Sequence, residues 1–107
     1  MERLDAALAR AEGLAVRLEE AAAAADWYAA LERDTALAAT LRDVAEELER
    51  ADSGTRGAAT EVLRRVQARH GSALRLLEAA RDGAHAELTG AVRGRRAADA
   101  YLESAEE

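Results

Sequence analysis

The sequence predicts an all-α protein: an antiparallel bundle of three helices, the third of them long. Three observations carry this. The 107 residues contain no proline, so nothing in the chain is barred from a helix interior. Alanine, the best helix former, makes up most of the apolar half of the composition. Apolar residues also recur in alternating steps of three and four over three separate stretches, the mark of one helix face. The expected helices cover about 2–25, 27–51 and 58–102, within a single domain. A break near Gly83 would divide the third into a fourth helix. If the chain does not turn near Ala25-Asp26, the same pattern reads as a long two-helix hairpin.

In the first stretch the stripe is Leu4, Ala7, Ala11, Leu14, Leu18, Ala21 and Ala25. Arg3, Arg10, Arg17, Glu19 and Glu20 lie mostly off it, as solvated faces should. Asp26 can cap a second helix by accepting from the free amides of its first turn. The second stripe is Trp27, Leu31, Asp34, Leu37, Leu41, Val44, Leu48 and Ala51. It is about one residue out of step with the first, which places a turn at Ala25-Asp26. Glu46 and Arg50 stand four apart in the stabilising order. Asp52-Ser53-Gly54-Thr55-Arg56-Gly57 reads as the clear loop, with Gly54 as a left-handed helix terminator and Ser53 or Thr55 starting the next helix. The third stretch carries Leu63, Val66, Ala73, Leu77, Ala80, Ala84, Leu88, Ala91, Ala98 and Leu102, with His70 and Arg95 on the same stripe. The acidic end, Glu103 to Glu107, is expected to fray.

Alanine buries little area, and the chain has no phenylalanine, isoleucine or cysteine, so the core should be thin. Lysine is absent as well, and arginine supplies every strong positive charge. The formal net charge is −6, with the acidic excess in residues 1–53 and near balance in 54–107. That distribution argues against nucleic acid as the main partner, because phosphate binding needs a net basic face. No apolar run approaches the roughly 18 residues of a membrane span, so no membrane insertion is expected. The start, Met1-Glu2-Arg3-Leu4-Asp5, lacks the basic-then-apolar order of a signal peptide. A cytoplasmic location is the expectation.

Catalysis finds little support. His70 and His85 are far apart, and neither has another histidine or a cysteine three or four residues away, so no metal site is expected. No glycine-rich phosphate loop follows a strand. The serines have no base near them in sequence. The expectation is a protein that is not an enzyme and needs no cofactor. Interaction surfaces are more informative. Trp27, with Tyr28 beside it, fits either a ring sealing a helix junction or an exposed partner anchor. Arg93, Arg95 and Arg96 fit either complements of a helix C-terminus or a docking patch for an acidic partner. Tyr101 fits either a ring folded back on the bundle or a contact for another protein.

Three segments together resemble the small flagellar type III export chaperones, chiefly the FliT family and secondly the FlgN family. Ala25-Asp26-Trp27 followed by Leu31-Glu32-Arg33 is similar to their small-residue-Asp-Trp junction between the first two helices. Leu74 to Leu88, reading LRLLEAARDGAHAEL, is similar to their long amphipathic helix. Arg93-Gly94-Arg95-Arg96-Ala97-Ala98-Asp99-Ala100-Tyr101 is similar to their basic run ending in Ala-Tyr. The resemblance implies a chaperone that binds the C-terminal helix of a flagellar axial protein, such as the filament cap, and delivers it to the export gate. It implies a client-binding groove at Leu74, Leu77, Ala84, Leu88 and Ala91. It also implies export-gate docking through Tyr101 with Arg95 and Arg96. The competing expectation is a structural or interaction protein that homodimerises through the same apolar stripe.

Overall fold

A computed structural model describes residues 2–106, and the described residues form three helices with no strand. Helix α1 is Glu2–Ala23, α2 is Trp27–Glu49 and α3 is Ser53–Glu106. The chain divides into two compact units, Met1–Leu77 and Glu78–Glu107. The first contains α1, α2 and the first part of α3. The second is the remaining helix of α3. The chain does turn between α1 and α2, so the two-helix hairpin is not formed.

That turn contains neither glycine nor proline, and its hydrogen bonds explain how it forms. The Asp26 amide donates to the Ala21 carbonyl at 2.9 Å, and the Ala25 amide donates to the Ala22 carbonyl at 3.0 Å. This pair of bonds is the Schellman closure, which needs one residue in the left-handed region. Ala25 takes that place with φ 54°. Asp26 then starts α2: its Oδ1 accepts from the Ala29 amide at 3.1 Å and its carbonyl from the Ala30 amide at 2.9 Å. One residue therefore closes one helix and caps the next. Helix α1 ends at Ala23 rather than near Ala25 because the closure consumes the last residues.

The second turn is shorter than the expected loop. Asp52 is the cap: its Oδ1 accepts from the Thr55 amide at 2.7 Å and its carbonyl from the Arg56 amide at 2.9 Å. Helix α3 consequently begins at Ser53, and Gly54 lies inside it without a positive φ. Arg56 reaches back so that its guanidinium donates to the Leu48 and Glu49 carbonyls at the end of α2 (2.9 and 3.2 Å). A cation there satisfies the orphan carbonyls and opposes the helix dipole. Arg50 pairs with Glu47 at 3.4 Å, not with Glu46.

With turns this short, the three helical segments of the first unit are antiparallel neighbours. Leu4 and Leu8 pack with Val44 and Ala59, joining the start of α1, the end of α2 and the start of α3. Leu14, Leu18 and Ala22 pack with Ala30, Leu37, Val66 and Ala73. The most buried positions recur every seven residues: Ala30, Leu37 and Val44 on α2, and Ala59, Val66 and Ala73 on α3. Ala11, Ala15 and Ala73 have no exposed surface at all. Thr40 is the one buried polar side chain among the described residues, and its hydroxyl donates to the Ala36 carbonyl at 2.9 Å.

Polar cross-links hold the three segments in register. The Arg65 guanidinium binds both carboxylate oxygens of Glu12 at 2.9 and 3.2 Å. One turn on, Arg69 reaches Glu19 at 3.0 Å, so Glu19 is not simply solvated. His70 Nε2 lies 3.0 Å from Asp34 Oδ1 and links α3 to α2.

In the second unit the helical assignment continues through Gly83, so no fourth helix forms. A Cβ at Gly83 would meet nothing within 4 Å, and glycine in such a place costs only about 1 kcal/mol against alanine. The helix extends through Glu106; Glu107, the end of the expected frayed tail, lies outside the described residues.

Two predictions follow from the turn and the cross-links. Because a left-handed alanine is strained, Ala25→Gly should stabilise the fold by about 0.5–1 kcal/mol, the added unfolded-state freedom of glycine offsetting part of the relief. Urea denaturation measures this, and loss of stability would show that the turn is not built this way. The Arg65 hydrogen bond holds the Glu12 carboxyl below its ordinary range, and the Thr55 amide does the same for Asp52. A carboxyl whose pKa is lowered on folding contributes stability that is complete above its unfolded value, near pH 4, and is lost as pH falls through the folded value. Melting temperature should therefore drop on acidification below about pH 4. The drop should be shallower in Glu12→Gln, measured by circular dichroism across an acid series.

Candidate functional site

The alanines that bring the helices together leave the larger side chains of α2 and α3 at the edges of their contact. Two stretches of open groove result, both within the first unit. One encloses about 380 Å³ between Leu37, Ala38 and Leu41 on α2 and Leu63, Val66 and Gln67 on α3. The other, of about 190 Å³, lies among Trp27, Ala30, Leu31, Ala73, Leu74 and Leu77, with Leu18 at its floor. Asp34 and His70 line both. Their 3.0 Å contact is a polar strap across a channel whose only other polar lining residue is Gln67.

In the first unit, the exposed apolar groups Trp27, Leu31 and Leu74 line the second stretch. Trp27 is 50% exposed and Leu31 65%, although both fall on the stripe expected to face the core. The buried line of α2 instead runs through Ala30, Leu37 and Val44, which turns Trp27, Leu31 and Asp34 toward the groove. Trp27 thus lines a groove and keeps half its surface in solvent. Tyr28 is more exposed still and lies with Leu31 in a separate shallow depression on α2.

The residues singled out from the sequence separate between the two units. Leu74 and Leu77 come together with Trp27 and Leu31: Leu74 at the rim, Leu77 half-buried against the core. Ala84, Leu88 and Ala91 share a face of the helix in the second unit, and all three are exposed. Arg95 continues that face. Arg96 and Tyr101 are exposed on the same helix, Tyr101 to 74%. Sequence reasoning missed Trp27, Leu31, Asp34 and His70 as groove residues. The available signal was a polar residue within each of the two facing stripes, Asp34 on the second and His70 on the third, of complementary character.

Chemically the site offers apolar contact and one polar pair. Among the described residues no three His, Asp or Glu side chains converge as metal ligands would. Among the same residues no helix is long and apolar enough to cross a membrane. No family model matches the chain, and no curated protein or solved structure matches it either.

The contrast between rim and core is measurable. Leu37 is fully buried, and Leu37→Ala should cost about 2–5 kcal/mol in chemical denaturation. Leu31→Ser, on the exposed edge, should stay within about 0.5 kcal/mol of the parent. Equal costs would mean that Leu31 belongs to the core.

Proposed function

We propose that this protein is a non-enzymatic binding module for an amphipathic helix, acting as a flagellar export chaperone. The observation that supports it is the apolar groove between α2 and α3, with Trp27, Leu31 and Leu74 exposed beside it. An amphipathic client helix lays anchors at i, i+3 or i+4 and i+7 into such a groove. The Asp34–His70 strap offers hydrogen-bonding groups midway, and partly polar lining suits a site that must also release its client.

In this reading the client is the C-terminal helix of a flagellar axial protein such as the filament cap. The groove residues are Leu74 and Leu77 with Trp27 and Leu31. On the second unit, Ala84, Leu88 and Ala91 are the client contacts in this reading. Tyr101, with Arg95 and Arg96, is the docking point for the export-gate protein. A cytoplasmic site of action goes with this reading. The three sequence segments similar to the FliT family are its further support.

The test is titration of a synthetic C-terminal helix of the filament-cap protein, followed by Trp27 emission and by anisotropy of the labelled peptide. Saturable binding is expected, with loss of binding in Leu74→Asp and Leu31→Asp at unchanged helicity. Tyr101→Ala should keep client binding and weaken binding to the export gate. Absence of saturable peptide binding to the folded parent protein would overturn the reading.

A further inference from the structure

The second unit bears an exposed face of its own, only part of which the client reading uses. Along its helix Arg81, Ala84, Leu88, Ala91, Arg95, Ala98 and Leu102 recur in steps of three and four, and all are exposed. Leu88 is 63% and Leu102 58% exposed, and Val92 is exposed at the edge of the same face. We propose that this segment pairs antiparallel with the same segment of a second copy of the chain, Leu88 of each copy against Ala91 of the other. The pairing concerns the second unit alone and stands whether or not a client helix binds the groove of the first.

Two features argue for this occupant and this direction. The first is the order of sizes. From Arg81 to Ala98 the steps are three, four, three, four and three, a series identical when reversed. Antiparallel copies therefore meet in register, with Arg81 opposite Ala98, Ala84 opposite Arg95 and Leu88 opposite Ala91. Every large side chain faces an alanine, the interdigitation that close helix pairs require. Parallel copies would instead stack Arg81 on Arg81 and Arg95 on Arg95 in the seam, with Leu88 on Leu88 and alanine on alanine between them. Like charges so placed repel.

The second feature is charge. Residues 78–87 carry Glu78, Asp82 and Glu87 against Arg81 alone, and residues 93–99 carry Arg93, Arg95 and Arg96 against Asp99 alone. Antiparallel pairing sets the acidic end of one copy on the basic end of the other, at both ends at once. In the seam the Arg81 guanidinium comes level with the partner copy's Asp99 and Arg95 comes near its Glu87. Parallel pairing sets acid on acid and base on base. Complementary potentials of this kind fix direction and register more than they raise affinity.

The chain has no cysteine, which makes cross-linking clean. Full-length Ala84→Cys/Arg95→Cys should give a covalent dimer on mild oxidation, because the two positions face each other across the pair. Ala84→Cys alone should not cross-link, since its copies are far apart along the seam. Sedimentation equilibrium of the parent protein should show the mass doubling with concentration, with a loss of dimer at high salt. Leu88→Asp should leave a monomer with unchanged helicity. Rapid cross-linking of Ala84→Cys alone would overturn the antiparallel direction, and a monomeric mass at every concentration would overturn self-pairing altogether.

Discussion

The first unit depends on alanine at the places where its helices come closest. Ala11, Ala15 and Ala73 are wholly enclosed, and Ala22, Ala30 and Ala59 nearly so. Small side chains let helix axes approach and dispersion contacts accumulate between backbones. They also bury little apolar area, so the centre contributes less than leucines would. Two consequences follow from this one constraint. Stability must be supplemented by contacts that position rather than bury, and large apolar groups left without space at the centre must go to its edges.

The supplement comes from α3. Arg65 and Arg69, one turn apart, meet Glu12 and Glu19 on α1, while His70 meets Asp34 on α2. Exposed pairs of this kind are individually weak. Their effect is on register: they select one rotation of α3 among several that an alanine surface would tolerate. The bidentate Arg65–Glu12 contact is the most selective, because a planar fork accepts few orientations of its carboxylate. Arg56 adds the same kind of constraint at the turn by binding the last carbonyls of α2. The large groups displaced to the edges are Trp27, Leu31, Leu63 and Leu74, and they line the open side of the α2–α3 contact. The groove is thus a product of how the core is made.

Much of this was legible in the sequence, and the failures have physical causes. The three stripes located all three helices, and Asp26 was legible as a cap because its carboxylate can accept from the free amides of the next turn. The turn itself was hard to read, since a Schellman closure normally announces itself by glycine and here Ala25 takes the strained place. The opposite error occurred at Gly54 and Gly83, where glycine suggested a terminator and a break. Asp52 supplied a stronger start signal than Gly54 a stop, and Gly83 is simply carried within a helix. The core face of α2 was misjudged by part of a turn. A stripe in steps of three and four covers more than one line of the helix surface, and only packing decides that Ala30 rather than Trp27 faces inward. Of the groove only the α3 side, Leu74 and Leu77, was read, because the groove belongs to two helices whose relative rotation no single stripe contains.

Arg95 is where the proposals for the second unit meet. A guanidinium that docks on an export-gate protein must be in solvent, whereas in the antiparallel pair it lies over the partner copy's Ala84. One surface cannot serve both at once. Self-pairing and gate docking are therefore linked equilibria, and each must weaken as the other is filled. The thinness of the seam makes such exchange physically reasonable. Leu88 is its only large apolar group in register, and a seam otherwise made of alanine and arginine opposed by carboxylates is stabilised mainly by terms that salt screens. A self-association of that kind holds the apolar face out of water while the chain waits, and yields to a partner that presents a more apolar surface. A seam of leucines at Ala84, Ala91 and Ala98 would bind itself more tightly and lose this property.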